Sequence, residues 1–315
     1  MSKLGTTDLD VYGLCLGGNV FGWTADETAT FDILDAYSAV GGNFVDTADT
    51  YSTWVGDGSG GQSEALLGRW FAARGNRSSV VLATKVAKKP SRPGLSAANI
   101  VAAAEDSLRR LGTDYIDLYY AHHDDQTVPL EETLGAFDSL VKSGKVRYIA
   151  ASNYSAPRLA EALAVSDREG FARFSALQNL YNLVERQDFE ADLVPLLEKE
   201  SVPSLPYYSL ARGFLAGKYR HGTSVESVRA EGAGKYRTER GYALVEVLDE
   251  VAAAHRVPVA AVSLAWLAAQ QTVAAPIASA RTVEQLHELL PSVGLELTGE
   301  QHAALEEASR VPVTE

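Results

Sequence analysis

A closed α/β barrel, (β/α)8 of the TIM type with an N-terminal β-hairpin, is the fold class this sequence predicts, on three observations. Eight short apolar runs alternate with amphipathic stretches along 315 residues, the pattern of a parallel sheet built from strand–helix units. Closure into a barrel removes the exposed edges that such a sheet would otherwise present. No repeat, charge block or low-complexity linker divides the chain, so one domain over residues 1–315 is expected. An open doubly wound sheet is the alternative, and it lacks a dinucleotide fingerprint after its first strand.

The elements follow in order. Lys3 to Val11 reads as a small hairpin turning near Thr7-Asp8, placed to plug one end of the barrel. The strands are expected at Gly13–Gly17, Asn43–Asp46, Val80–Val86, Tyr115–His122, Val146–Ser152, Ala176–Leu180, Ser204–Tyr208 and Val273–Ala278. Helices are expected over Asp26–Val40, Ser63–Ala73, Ser96–Leu111, Leu130–Ser143, Pro157–Ala164, Leu193–Glu200 and Ala243–His255. The stretch from Ser96 shows the logic: a polar start, apolar Ile100, Ala104, Leu108 and Leu111 on one face, and a stop at Gly112. A literal G-x-G-x-x-G occurs at Gly56, Gly58 and Gly61, but well past its strand, which makes it a flexible loop tip. The long connection Ser209 to Gly241, rich in Gly, Arg and Lys, suits a functional loop at the barrel mouth.

Composition narrows the function. The net charge of −13 excludes a nucleic-acid or acidic-membrane surface. No stretch approaches the apolar length of a membrane span, and the N-terminus has no signal core. The lone Cys15 lies in an apolar run and reads as a small core residue of a reducing compartment, so a cytoplasmic protein is expected.

Three strand ends deliver ionisable groups. The strand at Asn43 stops at Asp46, the next ends at Lys85, and the third ends at His122, with Tyr51 just past the first. Adjacent His122 and His123 must point to opposite sides of a strand, which argues against a two-histidine metal site, and no metal is expected. His122 is the inward one. A buried Asp46 needs a cation, and Lys85 can supply it. Lys85 could also lower the Tyr51 pKa, making the phenol a proton donor to an oxygen gaining negative charge, with His122 hydrogen-bonding the same oxygen. That chemistry suits carbonyl reduction, and no side chain supplies hydride, so a nicotinamide cofactor is required. A purely structural Asp–Lys pair, and a Schiff-base aldolase with Lys85 as nucleophile, are the alternatives at this point.

These residues sit in recognisable company. Asn43-Phe44-Val45-Asp46-Thr47-Ala48-Asp49-Thr50-Tyr51, Gly61-Gln62-Ser63-Glu64-Ala65-Leu66-Leu67-Gly68, Ala83-Thr84-Lys85 and Asp114 to His122 occur in order. Gly144-Lys145-Val146-Arg147-Tyr148-Ile149 and Ser152-Asn153-Tyr154 follow. From about Leu4 to Leu290 the chain resembles the aldo-keto reductase superfamily, in the bacterial branch that also holds potassium-channel β-subunit-like proteins. The resemblance implies NADPH-dependent reduction of an aldehyde, ketone or ketosugar, with Asp46, Tyr51, Lys85 and His122 as catalytic tetrad and Tyr51 as general acid. An NADPH-binding redox sensor with incidental turnover is the alternative it suggests.

The resemblance also implies cofactor residues. Ser152, Asn153 and Gln178 would hold the nicotinamide carboxamide, and Tyr208 would stack on its ring. Ser209, Leu210, Gly213, Leu215 and Lys218 would follow the pyrophosphate. Ser279, Arg281, Gln285 and Glu288 would meet the adenosine end, and the Arg281 guanidinium suits a 2′-phosphate. Ser279 and Leu289 depart from the glycine and asparagine common there. Phe21, Trp23 and Trp54 are expected to wall the substrate pocket.

Overall fold

The computed structural model describes residues 1–222 and 230–310; residues 223–229, within the Ser209 to Gly241 connection, and 311–315 lie outside the described residues. A short antiparallel hairpin comes first, β1 (Ser2–Lys3) against β2 (Asp10–Val11). Strand–helix units follow: β3 (Cys15–Gly17), α1 (Glu27–Ala39), β4 (Phe44–Asp46), α2 (Gln62–Arg74), β5 (Val81–Val86) and α3 (Ala97–Leu111). Next come β6 (Ile116–Ala121), α4 (Leu130–Lys142), β7 (Val146–Ser152), α5 (Ala156–Glu169), β8 (Phe174–Gln178) and α6 (Val194–Glu200). The remainder is α7 (Ala230–Ala233), α8 (Glu239–His255), α9 (Val259–Ala268), β9 (Ile277–Ala278), α10 (Val283–Leu289) and α11 (Gly299–Ser309).

The sheet is parallel and curled, in the order β8-β7-β6-β5-β4-β3-β9. It closes through the segment between β8 and β9. Ser204 bridges to both Leu177 and Val273, and Tyr207 bridges to Leu180. The expected strand Ser204–Tyr208 is therefore present in position but broken as a ladder. Pro203 and Pro206 carry no N–H, so each interrupts the pairing. Pro276 likewise leaves only Ile277–Ala278 of the expected Val273–Ala278 in strand geometry.

Helix starts follow capping chemistry. The Asp26 carboxylate accepts from Ala29 N–H at the start of α1, and the Ser96 hydroxyl accepts from Asn99 N–H at the start of α3. Gly112 ends α3 at φ 62°, a left-handed cap that suits glycine. Two helices are longer than expected: α5 runs on to Glu169, and α8 begins at Glu239 with Thr238 as its cap. The expected list lacks α9 because it is buried almost all round, leaving no polar face to give a 3.6-residue period.

Inside the barrel, apolar side chains fill the end where the strands begin. Cys15, Phe44, Ala83, Leu118, Tyr120, Ala150 and Ala176 pack there with Leu4, Leu9 and Val11 of the hairpin region, which closes that end. With the bottom sealed by hydrophobic burial, the inward positions at the far ends of the strands form the floor of an open mouth. The G-x-G-x-x-G glycines all have positive φ in the loop between Tyr51 and α2 and follow no strand directly.

Candidate active site

Strand register carries the ionisable groups into the mouth. In β4 and β5, Asp46 lies opposite Ala83, so Lys85 is the next residue along on the same side. In β5 and β6, Lys85 lies opposite Tyr120, so His122 is again the next residue on that side. Three strands, each advanced by one period of two, place Asp46, Lys85 and His122 as inward steps. Tyr51 comes back over them from the turn after β4.

The four groups meet. The Lys85 ammonium, whose side chain is 0% exposed, donates to Asp46 Oδ2 at 2.5 Å, Thr47 O at 2.8 Å and Tyr51 Oη at 3.0 Å. All three of its protons are thus engaged, and Lys85 does not itself line the cavity. A Schiff-base role needs a neutral amine in reach of substrate, and this geometry opposes it. Gln178 Nε2 donates to the second Asp46 oxygen at 3.0 Å. The Tyr51 ring meets the His122 ring edge-on at 6.2 Å between centroids. His122 faces the cavity, while His123 stands outside its lining.

Electrostatics sets the proton inventory. Burial, then the charge and hydrogen bond of Asp46, hold the Tyr51 phenol well above its ordinary pKa. The expectation that Lys85 lowers this pKa is corrected: desolvation of a phenolate beside a carboxylate outweighs the ammonium. Tyr51 is a protonated phenol: its Oη accepts from Lys85 at 3.0 Å and donates to Asp46 Oδ2 only across a long 3.4 Å, a contact its proton can leave to turn toward the cavity. Burial, then the charges of Lys85 and Lys88, keep His122 neutral, well below the usual imidazole range. Its Nδ1 has no hydrogen-bond partner among the described residues. Burial also lowers the Lys85 pKa, against the opposing pull of Asp46.

A cavity of about 900 Å³ extends from Asp46, Tyr51 and His122 to the far side of the mouth. Of the expected cofactor residues, Ser152, Asn153, Gln178, Tyr208, Ser209, Leu210, Gly213, Lys218, Ser279, Arg281, Gln285 and Glu288 line it. Leu215 does not. Its side chain is buried in the core, its N–H donates to Leu210 O at 3.2 Å, and its carbonyl accepts from the Ser263 hydroxyl at 2.8 Å. The Asn153 amide is already committed: both N–H protons go to His122 O (3.0 Å) and Ser152 Oγ (2.9 Å), and Oδ1 accepts from the Tyr207 hydroxyl at 2.7 Å. Polar capacity toward a ligand therefore lies with the Ser152 hydroxyl and the Gln178 carbonyl oxygen.

Of the expected substrate-pocket residues, Trp54 lines the cavity and is 49% exposed. Trp23 supports it edge-on at 5.5 Å without lining the cavity. Phe21 is a correction: its ring is fully buried beneath α2, and its carbonyl accepts from the Ser52 hydroxyl. Residues that sequence reasoning missed also line the cavity, notably Asn19, Lys88, Tyr207 and Arg212. Arg212 lies over the Tyr208 ring at 4.3 Å, so a stacking ligand is left the opposite face.

The loop over this far side is strained. Tyr208, Ala211 and Arg212 all have positive φ (52°, 46° and 58°) and Gly213 follows at 93°. A Cβ at Gly213 would meet the Lys218 side chain at 3.1 Å, and one at Gly17 would meet Ser279 Oγ at 2.6 Å. Bare backbone is thus held against the cavity beside a cation. Among the described residues, Arg212 and Arg281 make no ion pair. A phosphate-bearing dinucleotide fits this donor set: guanidinium groups without carboxylates, a glycine-lined approach, and an amide and hydroxyl pair near Tyr51. No group of three or more His, Cys, Asp or Glu among the described residues could hold a metal ion.

The aldo/keto reductase family model matches residues 13–310. The chain belongs to the aldo/keto reductase family. It is 36% identical to the uncharacterized oxidoreductase YrpG of Bacillus subtilis, over 94% of this chain and 92% of that protein. It is 33% identical to norsolorinic acid reductase B of Aspergillus parasiticus, over 94% of this chain and 80% of that protein. Aryl-alcohol dehydrogenase GME11368 of Pestalotiopsis microspora is 29% identical, over 93% of this chain and 77% of that protein. Membership places the chain among oxidoreductases of a family that generally uses NAD(P)H. Among the described residues no single helix is long and apolar enough to cross a membrane.

Proposed function

We propose that this aldo/keto reductase is an NADPH-dependent carbonyl reductase, acting through one barrel domain on an aldehyde, ketone or ketosugar, with Tyr51 as general acid. The observation that carries it is the Lys85 ammonium held between Asp46 (2.5 Å) and the Tyr51 hydroxyl (3.0 Å) at the edge of the cavity. Bound NADPH supplies the hydride that no side chain can.

The chain's own residues do the rest. Tyr51 delivers its proton to the carbonyl oxygen as negative charge develops there. Lys85, hydrogen-bonded to Tyr51 Oη, stabilises the phenolate left behind, and Asp46 keeps the ammonium charged and in place. Neutral His122 donates an N–H to the same oxygen, so the developing charge meets two fixed donors instead of water. Ser152 and Gln178 would orient the carboxamide, and Tyr208 would cover one face of the ring. Arg281, with no carboxylate to neutralise it, would take the 2′-phosphate and favour NADPH over NADH. Trp54, backed by Trp23, offers an apolar shelf beside Tyr51, which suits a planar substrate. The relatives named for norsolorinic acid and aryl alcohols support that preference.

The test is consumption of NADPH by the purified protein with 4-nitrobenzaldehyde, compared with NADH at equal concentration. Turnover with NADPH well above NADH is expected. Absence of turnover across a panel of reactive aldehydes and ketones would overturn the reading.

A further inference from the structure

We propose that Lys88 selects substrates carrying a negatively charged group, an aromatic aldehyde or ketone with a carboxylate being the simplest, by pairing that group at the substrate end of the cavity. The inference rests on the carbonyl-reductase reading and names the substrate class of that same site.

Lys88 follows β5 by two residues and lines the cavity with Tyr51, Trp54 and His122. In the closed ring, β5 stands diametrically across from the 204–207 segment, which lies between β8 and β9. Lys88 therefore enters from the wall away from the residues suited to the dinucleotide. Its ammonium makes no ion pair among the described residues, although most basic side chains of this acidic chain are paired. No carboxylate offsets it either: burial and the nearby Lys85 charge both push its pKa down. Lys88 is exposed at the cavity rim, so an arriving anion finds there a cation that no carboxylate already holds, at the modest worth of a solvent-reached pair.

The backbone holds Lys88 there at a cost. Ala87 adopts φ 108°, a conformation that L side chains rarely take, and it is fully buried. The turn is pinned on each side. Val86 O accepts from His122 N–H (2.9 Å), Ala87 O from Gly94 N–H (2.9 Å) and Lys88 O from the Thr50 hydroxyl (3.2 Å). Strain kept at a non-glycine residue, between the buried Lys85 and the cavity-lining Lys88, is of the kind that collects at functional sites. With Trp54 and Tyr51 as apolar walls and Lys88 as the charged end, the cavity fits a flat ring with an anionic tail.

The experiment compares 4-carboxybenzaldehyde with 4-nitrobenzaldehyde, whose para groups share planar shape and two oxygens but differ by one negative charge. Values of kcat/KM with saturating NADPH are measured for the wild type, Lys88→Met, Lys88→Glu and Lys88→Arg. The ratio of the carboxylated to the nitro substrate cancels intrinsic reactivity when variants are compared. Lys88→Met should lower that ratio by about two- to fivefold, carried by KM of the carboxylated substrate, the size expected for a charge pair at an exposed site. Lys88→Glu should lower it further and Lys88→Arg should restore it, while any change the variants impose on the shared chemistry through His122 divides out of the ratio. An unchanged ratio in the Met and Glu variants, with 4-nitrobenzaldehyde still reduced, overturns the role of Lys88 and leaves carbonyl reduction standing. A wild type that reduces neither aldehyde overturns carbonyl reduction and the substrate class together.

Discussion

The two walls of the barrel mouth are built on opposite plans. On one, β4, β5 and β6 supply Asp46, Lys85 and His122 from inward strand positions, and the ammonium has all three protons bonded. On the other, the residues suited to the phosphates and adenosine end of the dinucleotide sit in the 208–218 loop, where the backbone is strained, and after β9, and Arg212 and Arg281 make no ion pair among the described residues. A charged group that must not move is held by strands and satisfied by protein. One that waits for a ligand is left unsatisfied on a loop. The contrast predicts that substitutions on the first wall cost both stability and chemistry, whereas those on the second cost affinity alone.

The largest effect tests the first wall. Lys85→Met leaves Asp46 buried without its cation and removes the group that stabilises the Tyr51 phenolate. Carbonyl reduction should fall by about a thousandfold or more, and chemical denaturation should show a loss of roughly 3–5 kcal/mol. Full stability combined with lost activity would detach the pair from the fold.

Asp49 is the exception on this wall and gives the next effect. It is 1% exposed, neither oxygen has a hydrogen-bond partner among the described residues, and burial followed by the Glu64 charge raises its pKa to about 7. A carboxyl with a folded pKa above its unfolded value of 3.8 is stabilised in its protonated form. That stability is complete below pH 3.8, is lost progressively as pH rises to about 7, and does not return above it. Across this window the loss is roughly 4 kcal/mol, at about 1.4 kcal/mol per pKa unit. Asp49→Asn should therefore remove this part of the decline, and denaturation curves at several pH values should converge with wild type only at acid pH. Parallel pH profiles for the two proteins would refute a buried, unpaired carboxyl.

A smaller effect probes the second wall. Arg281→Met should weaken NADPH binding by about ten- to a hundredfold, the worth of a charge-assisted pair of about 1.5–3 kcal/mol, with NADH binding and thermal stability nearly unchanged. Fluorescence titration with both nucleotides reads this directly. Equal losses for both, or a drop in melting temperature, would blur the two walls into one.

The same contrast explains what the sequence made legible. Asp46, Lys85 and His122 could be found because strand ends carry a period of two and each ionisable group terminates an apolar run. Ser152 and Gln178 also end strands, but it was the family resemblance that singled them out. Loops carry no period, so Leu215 and Phe21 were expected at the cavity but turn into the core, while Lys88, Arg212 and Tyr207 escaped notice. The signal that could have flagged Lys88 was its charge two residues beyond the buried run Val81–Val86. Nothing in the sequence announces the positive φ of Ala87. In the fold, α9 was hidden by uniform hydrophobicity, and the strands near Pro203, Pro206 and Pro276 were placed correctly but drawn too continuous. The Tyr51 pKa was misjudged because sequence names the charged neighbours of a group and not how deeply it is buried.

The central claim is that Tyr51, poised by Lys85, gives its proton to a carbonyl oxygen. Steady-state reduction of 4-nitrobenzaldehyde by Tyr51→Phe, alongside NADPH titration of the same preparation, tests it most directly. The account predicts turnover lower by about 10²–10⁴ with NADPH affinity within about twofold of wild type, since the ring and its packing remain. A variant that binds NADPH and still reduces the aldehyde at close to the wild-type rate would contradict it.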